Sequence, residues 1–249
     1  MPSMCFHLSV ALGAAPLIGT VATQNLGDYL FGATLPDIHM LSTLPISREQ
    51  THYFGLDQAD FDDEELVSQV RRGFASKGDG EPALAAGYLS HLIADKIWIR
   101  DIYRPFFAPG APLGVDSMAE LYDRALQFQI DMVERERSNL AQLSQVMAVL
   151  KVKDWSGLDK DTLKRWRSFI LESLQSERSW QTFPQYVRDF LLPHGKVKQE
   201  MVGEFLAFLP DRVKRLAEYV PQVKIDAVKQ KSVTLSVMAA KEYLYANLG

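Results

Sequence analysis

The chain has 249 residues, of which 47% are hydrophobic and 23% are charged, and its formal net charge is −4. These ordinary globular values exclude a disordered chain and a collagen-like repeat, and the acidic balance argues against a nucleic-acid binder, which usually carries a basic stripe. The one cysteine, Cys5, excludes an internal disulfide, a CxxC redox pair and a cysteine-rich zinc site, and it favours a reducing, cytoplasmic compartment.

The first predicted elements are two helices near the N-terminus. A 3.6-residue periodicity predicts a helix over residues 7–13 that breaks near Pro16, and a second helix over residues 17–31. Residues 8–22 are apolar, but no Lys or Arg precedes Arg48, and Pro16 and Gly19 interrupt the run, so we do not expect a signal peptide. No segment offers the ~20 apolar residues that a membrane span needs.

The remaining elements are also predicted to be helices, since strand-like alternation is scarce. Asp62, with Glu65 three residues on, predicts an N-cap for a helix that runs to residue 76. The most regular helix covers residues 81–103, and a long helix covers 117–150. Asp159 caps a helix to residue 174, and two more cover 196–219 and 225–247. We therefore expect one all-α domain over residues 1–249, with supporting helices in 106–249.

Charge is spread unevenly along the chain. Residues 1–65 contain nine acidic residues and one basic residue, Arg48, so they carry −8, whereas the other 184 residues carry +4. Four of the five histidines lie in the first 91 residues. An acidic, histidine-rich segment suits a cation better than a polyanion, so a cation is the expected ligand of the N-terminal part of the chain.

The strongest functional signal lies in the predicted helix 81–103. His91 and Asp95 are four residues apart, which places them on one helix face with Cβ atoms ~5–6 Å apart. Apolar residues share that face, and burying both polar groups costs several kcal/mol unless they are paired or bind a metal. Two interpretations fit this pair about equally: a metal-binding pair, whose spacing HExxH helices also use, or a His–Asp hydrogen bond that only orients the helix.

Three further residues favour the metal interpretation. His7 lies at the start of an apolar helix, Asp37 follows Pro36 at the end of a helix, and His52 lies in a loop. An isolated histidine of this kind is more often an ordinary core residue than a ligand. Three such residues ahead of a HxxxD helix are harder to explain in that way. His39, two residues after Asp37, is an alternative ligand, but we favour its interpretation as a loop residue.

These residues belong to four short motifs in a fixed order. The motifs are His7, Leu35-Pro36-Asp37, Thr51-His52-Tyr53-Phe54 and Gly87-Tyr88-Leu89-Ser90-His91 with Asp95. The set resembles the zinc-dependent phospholipase C family over about residues 1–105. That resemblance implies an all-helical fold related to the S1/P1 nucleases. It also implies two zinc ions, with Asp37, His52 and His91 forming one metal site and His7 and Asp95 helping to form a second.

The chain departs from the secreted members of that family at a third metal site. Where those enzymes use a further His and a later HxxxE pair, this sequence has Asp101, Asp116 and Glu120. Oxygen-only ligands would favour Mg²⁺, Mn²⁺ or Ca²⁺ over zinc. The alternative, which we favour, is a solvated helix start with Asp116 as its N-cap.

The expected function is that of a metal-dependent phosphoesterase acting on a phosphate ester whose identity the sequence does not specify. Asp37, as a ligand that also faces the attacking water, is the expected orienter or base. One alternative is a non-catalytic helical protein with a degenerate or structural metal site. Another is an S1-like nuclease, which the acidic N-terminal segment disfavours.

Overall fold

The computed structural model describes residues 2–41, 46–53, 60, 62–75, 82–114, 118–138, 140–150, 158–192 and 197–245. Within these ranges all regular structure is helical and there is no β-strand, which confirms the predicted all-α class. The phospholipase C/P1 type of that class and the single-domain boundary stay predictions. The helices are α1 (Met4–Ile18), α2 (Thr20–Gln24), α3 (Leu26–Gly32), α4 (Arg48–His52), α5 (Asp63–Ala75), α6 (Pro82–Trp98), α7 (Arg104–Phe107), α8 (Ala119–Arg137), α9 (Leu140–Ala148), α10 (Lys160–Gln175), α11 (Phe183–Phe190), α12 (Gln199–Ala207), α13 (Leu209–Tyr219) and α14 (Gln222–Tyr245).

Two short elements complete the described structure. A 3-10 helix covers Leu35–Met40 after α3, and a π-helical turn covers Ile99–Tyr103 between α6 and α7. None of the described helices is both long enough and apolar enough to cross a bilayer.

The first helix corrects the predicted break at Pro16. Helix α1 begins after Ser3, whose hydroxyl accepts from the N–H of Phe6 at 3.3 Å, and it continues through Pro16 to Ile18. Proline removes one intrahelical hydrogen bond, but buried residues on both sides of it hold the segment against the core. The helix ends at Gly19, whose φ of 107° is a conformation that glycine adopts without steric cost.

Three predicted helices are each broken into two. The predicted helix 17–31 breaks at Asn25, whose side-chain amide donates to the Val21 carbonyl at 3.0 Å, so a local hydrogen bond competes with the helix. The predicted helix 117–150 breaks at Ser138, which has extended backbone, and the predicted helix 196–219 breaks at Phe208. The periodicity of apolar residues indicates that a segment is helical, but it does not indicate where one helix axis ends and another begins.

Helix caps were predicted more reliably than helix lengths. The Asp159 carboxylate accepts from the N–H groups of Asp161 and Thr162 at 2.9 and 2.8 Å, as expected of an N-cap. Asp62 accepts from the N–H of Glu64 at 3.3 Å ahead of α5. Helix α11 was not predicted, although it has a proline in its first turn, a position that suits helix starts.

Helix α6 is the centre of the molecule. It packs most extensively against α14 and α3, and it also contacts α1 and α5. Every residue from Ala83 to Trp98 is buried, so both the apolar residues of this helix and its HxxxD pair lie in the core. A single cluster of buried hydrophobic residues surrounds it and includes Phe6 of α1 and Tyr243 of α14.

Candidate metal centre

Helix α6 carries His91 and Asp95 into the core because two glycines let it cross α3 closely. A Cβ atom at Gly87 would lie 1.9 Å from the Tyr29 carbonyl oxygen, and one at Gly32 would lie 2.1 Å from the Leu84 carbonyl oxygen. Only glycine fits where backbones approach this closely. The crossing brings the end of α3 to His91, whose Nδ1 lies 2.9 Å from the Ala33 carbonyl oxygen.

That hydrogen bond settles the tautomer of His91. A carbonyl oxygen only accepts, so Nδ1 carries the proton and Nε2 presents its lone pair to the cluster. For the same reason Nδ1 of His52 carries the proton of that ring, since it lies 3.2 Å from the Arg48 carbonyl oxygen. The two Nε2 atoms are 3.3 Å apart. Two lone pairs facing each other at this distance repel unless a cation or a proton lies between them.

Helix α1 supplies His7. Its ring stacks on that of His91 with centroids 3.7 Å apart and an interplanar angle of 6°. Its Nε2 lies 3.4 Å from Oδ1 of Asp95, without hydrogen-bond geometry, so both of its buried ring nitrogens lack a hydrogen-bond partner. The stacking places the His7 ring at the edge of the cluster.

Helix α4 supplies His52 and is fixed at both ends. A capping box between Ser47 and Gln50 starts the helix. Near its end, the Tyr88 hydroxyl of α6 donates to the Thr51 carbonyl oxygen. His52 Nε2 then lies 3.3 Å from Oδ2 of Asp95. Because these anchors join α4 to α6, His52 is held against the HxxxD pair.

The 3-10 helix supplies Asp37, which lies at the open side of the cluster. Its Oδ1 is 3.6 Å from His52 Nε2 and 3.8 Å from His91 Nε2. The Asp37 side chain is 13% exposed, whereas the other four are at most 1% exposed. His39, on the same 3-10 helix, turns its Nδ1 to the Pro36 carbonyl oxygen at 2.9 Å and stands edge-on to the His52 ring.

The five predicted ligands therefore meet in one place, although they span residues 7 to 95 of the sequence. The structure contains two groups of three ligand atoms, and within each group all atoms lie within 4.8 Å of one another. One group comes from His7, Asp37 and His91, and the other from His52, His91 and Asp95. Ligands bound at ~2.0–2.1 Å in a tetrahedron lie ~3.3–3.4 Å apart. The separations among Asp37, His52 and His91, which are 3.3, 3.6 and 3.8 Å, approach this value.

Burial and mutual attraction shift the pKa values of the cluster in opposite directions. Burial lowers the pKa of His91 to about 3, so its ring is neutral at pH 7. Burial acts to raise the pKa values of Asp37 and Asp95, but the surrounding histidines outweigh it and hold both below the ordinary range. Burial likewise acts to lower the pKa of His52, but the neighbouring Asp37 and Asp95 carboxylates outweigh it and raise that pKa. Both carboxylates are thus ionised at neutral pH.

The residues present fit a divalent cation. Asp37 Oδ1 and Asp95 Oδ1 are buried without a hydrogen-bond partner, as are both ring nitrogens of His7. A buried polar atom left without a partner costs ~1–3 kcal/mol, and a cation among these atoms would remove that cost. A mixed set of imidazole nitrogen and carboxylate oxygen is typical of zinc and related divalent metals.

Sequence reasoning missed one residue of this site, Arg48. Its guanidinium donates to Oδ2 of Asp95 at 2.8 Å, and its side chain is 16% exposed. Arg48 is the one basic residue among the nine acidic residues of 1–65. That isolation was the available signal, because a lone arginine in an acidic segment has many carboxylates to pair with.

The predicted further ligands lie outside the two groups where the structure describes them. Asp101 pairs with Lys231 Nζ at 2.6 Å and with Arg100 Nε at 2.9 Å. Glu120 pairs with Arg124 at 2.9 Å along α8. Asp116 lies outside the described residues.

Comparisons of the chain with protein-family models, with curated proteins and with solved structures found no match. The candidate metal centre is therefore defined by its own atoms: three imidazoles and two carboxylates lie close together, and one arginine pairs with Asp95.

Proposed function

We propose that this chain is a divalent-metal-dependent phosphoesterase whose cation, foremost zinc, lies within the cluster formed by His7, Asp37, His52, His91 and Asp95. The observation that supports the proposal is the convergence of these five side chains, with ligand-atom separations of 3.3 to 3.8 Å. A bound divalent cation supplies Lewis acidity, which lowers the pKa of water and polarises a phosphoryl oxygen.

The side chains of the cluster have distinct roles in this proposal. His52 and His91 hold the cation through Nε2, since each ring is fixed by a hydrogen bond at Nδ1. Asp37 has the one partly exposed side chain of the five, so in this proposal a substrate and a water molecule approach the cation from its side. Its lowered pKa makes it a weak proton acceptor. Asp37 therefore acts mainly by orienting the water, a role that needs a carboxylate at this position.

The substrate class is a phosphate ester. Arg48 is partly exposed beside the cluster, and its positive charge favours the approach of an anion. The net charge of −4 does not suit a long polyanion, so small esters and lipid headgroups are preferred over nucleic acids. A cytoplasmic location is part of the same proposal, and it rests on the single cysteine, which is buried.

The experiment is hydrolysis of bis-p-nitrophenyl phosphate by protein loaded with zinc. We expect slow turnover that a chelator abolishes and that added metal restores. The Asp37→Asn variant keeps an oxygen ligand but loses the charge that orients the water. Its rate should fall by at least ~100-fold, while its free energy of unfolding should change less than that of His91→Ala.

Two results would remove the proposal. The first is an absence of turnover on diesters, monoesters and phospholipids by protein shown to contain metal. The second is activity that persists unchanged in Asp37→Asn or after chelation. The matched control is Asp101→Asn, whose carboxylate pairs with Lys231 rather than with the cluster, and which should keep the wild-type rate.

A non-catalytic metal site is the second candidate. The observation that favours it is burial: four of the five side chains are at most 1% exposed, and Arg48 already neutralises part of the Asp95 charge. A structural site is closed to substrate and contributes its binding energy to folding. Under this candidate, metal raises the stability of the protein but a substrate phosphate does not reach the ion.

A further inference from the structure

We propose that the cluster is a one-metal centre in which Arg48 takes the place of a second cation. The inference rests on the metal site of the proposed function and specifies how that site is charged. The family resemblance implies two zinc ions, whereas this inference gives the cluster one ion and Arg48.

His91 limits the number of ions, because both groups of ligand atoms include it. Its Nδ1 is occupied by the hydrogen bond to the Ala33 carbonyl oxygen, so Nε2 is the nitrogen that remains for a metal. One imidazole nitrogen binds one cation. The two groups therefore cannot each hold an ion with a complete set of three ligands.

In this inference the ion is held by Asp37, His52 and His91. Their ligand atoms lie 3.3 to 3.8 Å apart, and the set includes the partly exposed carboxylate. What remains is His7 Nε2 and Asp95 Oδ1, which are 3.4 Å apart. Two protein ligands make a weak site, since stable zinc sites use three or four.

A fixed positive charge lies beside that remaining position. The Arg48 guanidinium lies 2.8 Å from Asp95 Oδ2, and Asp95 is fully buried. An arginine is always charged, and its planar group matches a carboxylate. It thus supplies fixed positive charge at the carboxylate that a second metal would need.

The charge of the metal-bound cluster also favours a single ion. Histidine binds a metal as the neutral imidazole, so two carboxylates and one arginine sum to −1. One divalent cation brings the cluster to +1, whereas two bring it to +3. A charge of +3 among side chains that are nearly all buried is costly, because buried charges are stable only when they are compensated.

The experiment is a titration of metal-free protein with Co²⁺ and with Zn²⁺, read by native mass spectrometry and metal analysis rather than by activity. We expect wild type to saturate at one equivalent and Arg48→Gln, whose amide oxygen adds a third ligand beside His7 and Asp95, to bind a second. Arg48→Lys keeps the charge and should stay at one equivalent. The matched control is Arg100→Gln, which removes an arginine paired with Asp101 and should also stay at one.

The variant His7→Gln gives a test that does not depend on Arg48→Gln folding. Because the inference places His7 outside the ligand set, His7→Gln should keep the one equivalent of wild type. In the double variant with Arg48→Gln it should return the count from two to one.

The outcomes separate this inference from the proposed function. Two equivalents in wild type, one equivalent in folded Arg48→Gln, or loss of the ion in His7→Gln would each overturn the role of Arg48 while leaving a metal-dependent enzyme possible. No metal bound by wild type would overturn both proposals.

Discussion

Buried charge is compensated differently in the two halves of the molecule. In the C-terminal half, Oδ2 of Asp131 accepts from Arg135 Nε at 2.8 Å and lies 3.3 Å from Arg178 Nε, and Lys229 donates to Glu134 at 2.6 Å. In the N-terminal half, the cluster has one arginine for two carboxylates. These two C-terminal acidic residues have their counter-charges within the protein, whereas the cluster has a deficit that the proposed cation would cover.

Among the variants that test this contrast, His91→Ala should have the largest effect on metal content and stability. It removes the ligand common to both groups and the hydrogen bond that ties α6 to the end of α3. A ligand present at a thousand times its dissociation constant stabilises a protein by ~4 kcal/mol. We therefore expect His91→Ala to lose its metal and at least about that much unfolding free energy, as measured by metal analysis and urea denaturation.

The control for His91→Ala is Asp131→Ala in the other half. Removing this carboxylate leaves Arg135 and Arg178 without a charge partner in a mostly buried position, which costs ~3–5 kcal/mol. The loss should be the same with and without chelator, and metal content should not change. If chelation does not lower the stability of wild type, the contrast between the two halves is wrong.

A glycine pair tests the packing that positions the cluster. Alanine at Gly87 would place its Cβ 1.9 Å from a backbone oxygen of α3, so we expect a loss of ~3 kcal/mol. Alanine at Gly203 of α12 meets nothing within 4 Å and should stabilise the protein by ~0.5–1 kcal/mol through helix propensity. Thermal unfolding of both variants measures the difference. Equal effects at the two sites would contradict the close crossing of α3 and α6.

The smallest effect on stability is expected at Asp101, because its carboxylate belongs to a surface ion pair and not to the metal site. Burial acts to raise its pKa, but hydrogen bonds from Lys231 and Arg100 outweigh it and lower the pKa. The stabilisation is thus present above the unfolded pKa of ~3.9 and is lost as the pH falls through the folded pKa.

Exposure of the Asp101 pair to solvent limits this stabilisation to less than ~1 kcal/mol. Asp101→Asn should show that deficit in urea denaturation at pH 7, and the deficit should shrink as the pH is lowered toward 3. Its metal content should equal that of wild type. A loss of metal would return Asp101 to the list of ligands.

Part of the site was predictable because its signal is local in sequence. The spacing of His91 and Asp95 sets a common helix face, and the apolar residues around them require that face to be buried. The family resemblance of the motifs with His7, Asp37 and His52 implied that these residues share a site with the helix, and the structure places their ligand atoms close together.

The helix breaks were less predictable. Asn25 and Ser138 end helices where the neighbouring residues still show helical periodicity. A break of this kind depends on where the next helix must run to keep its apolar face on the core. That direction depends on distant contacts, which composition and periodicity do not record.

The sequence by itself determined that the fold is all-α, that α6 is buried, and that histidines and carboxylates lie in the N-terminal half, since each follows from residue type and local spacing. Only the tertiary structure decided that Arg48 contacts Asp95 and that Nδ1 of His91 is occupied by Ala33. Both contacts join residues more than 40 positions apart. Their distances depend on how α4, α3 and α6 pack, and local propensities do not specify that packing.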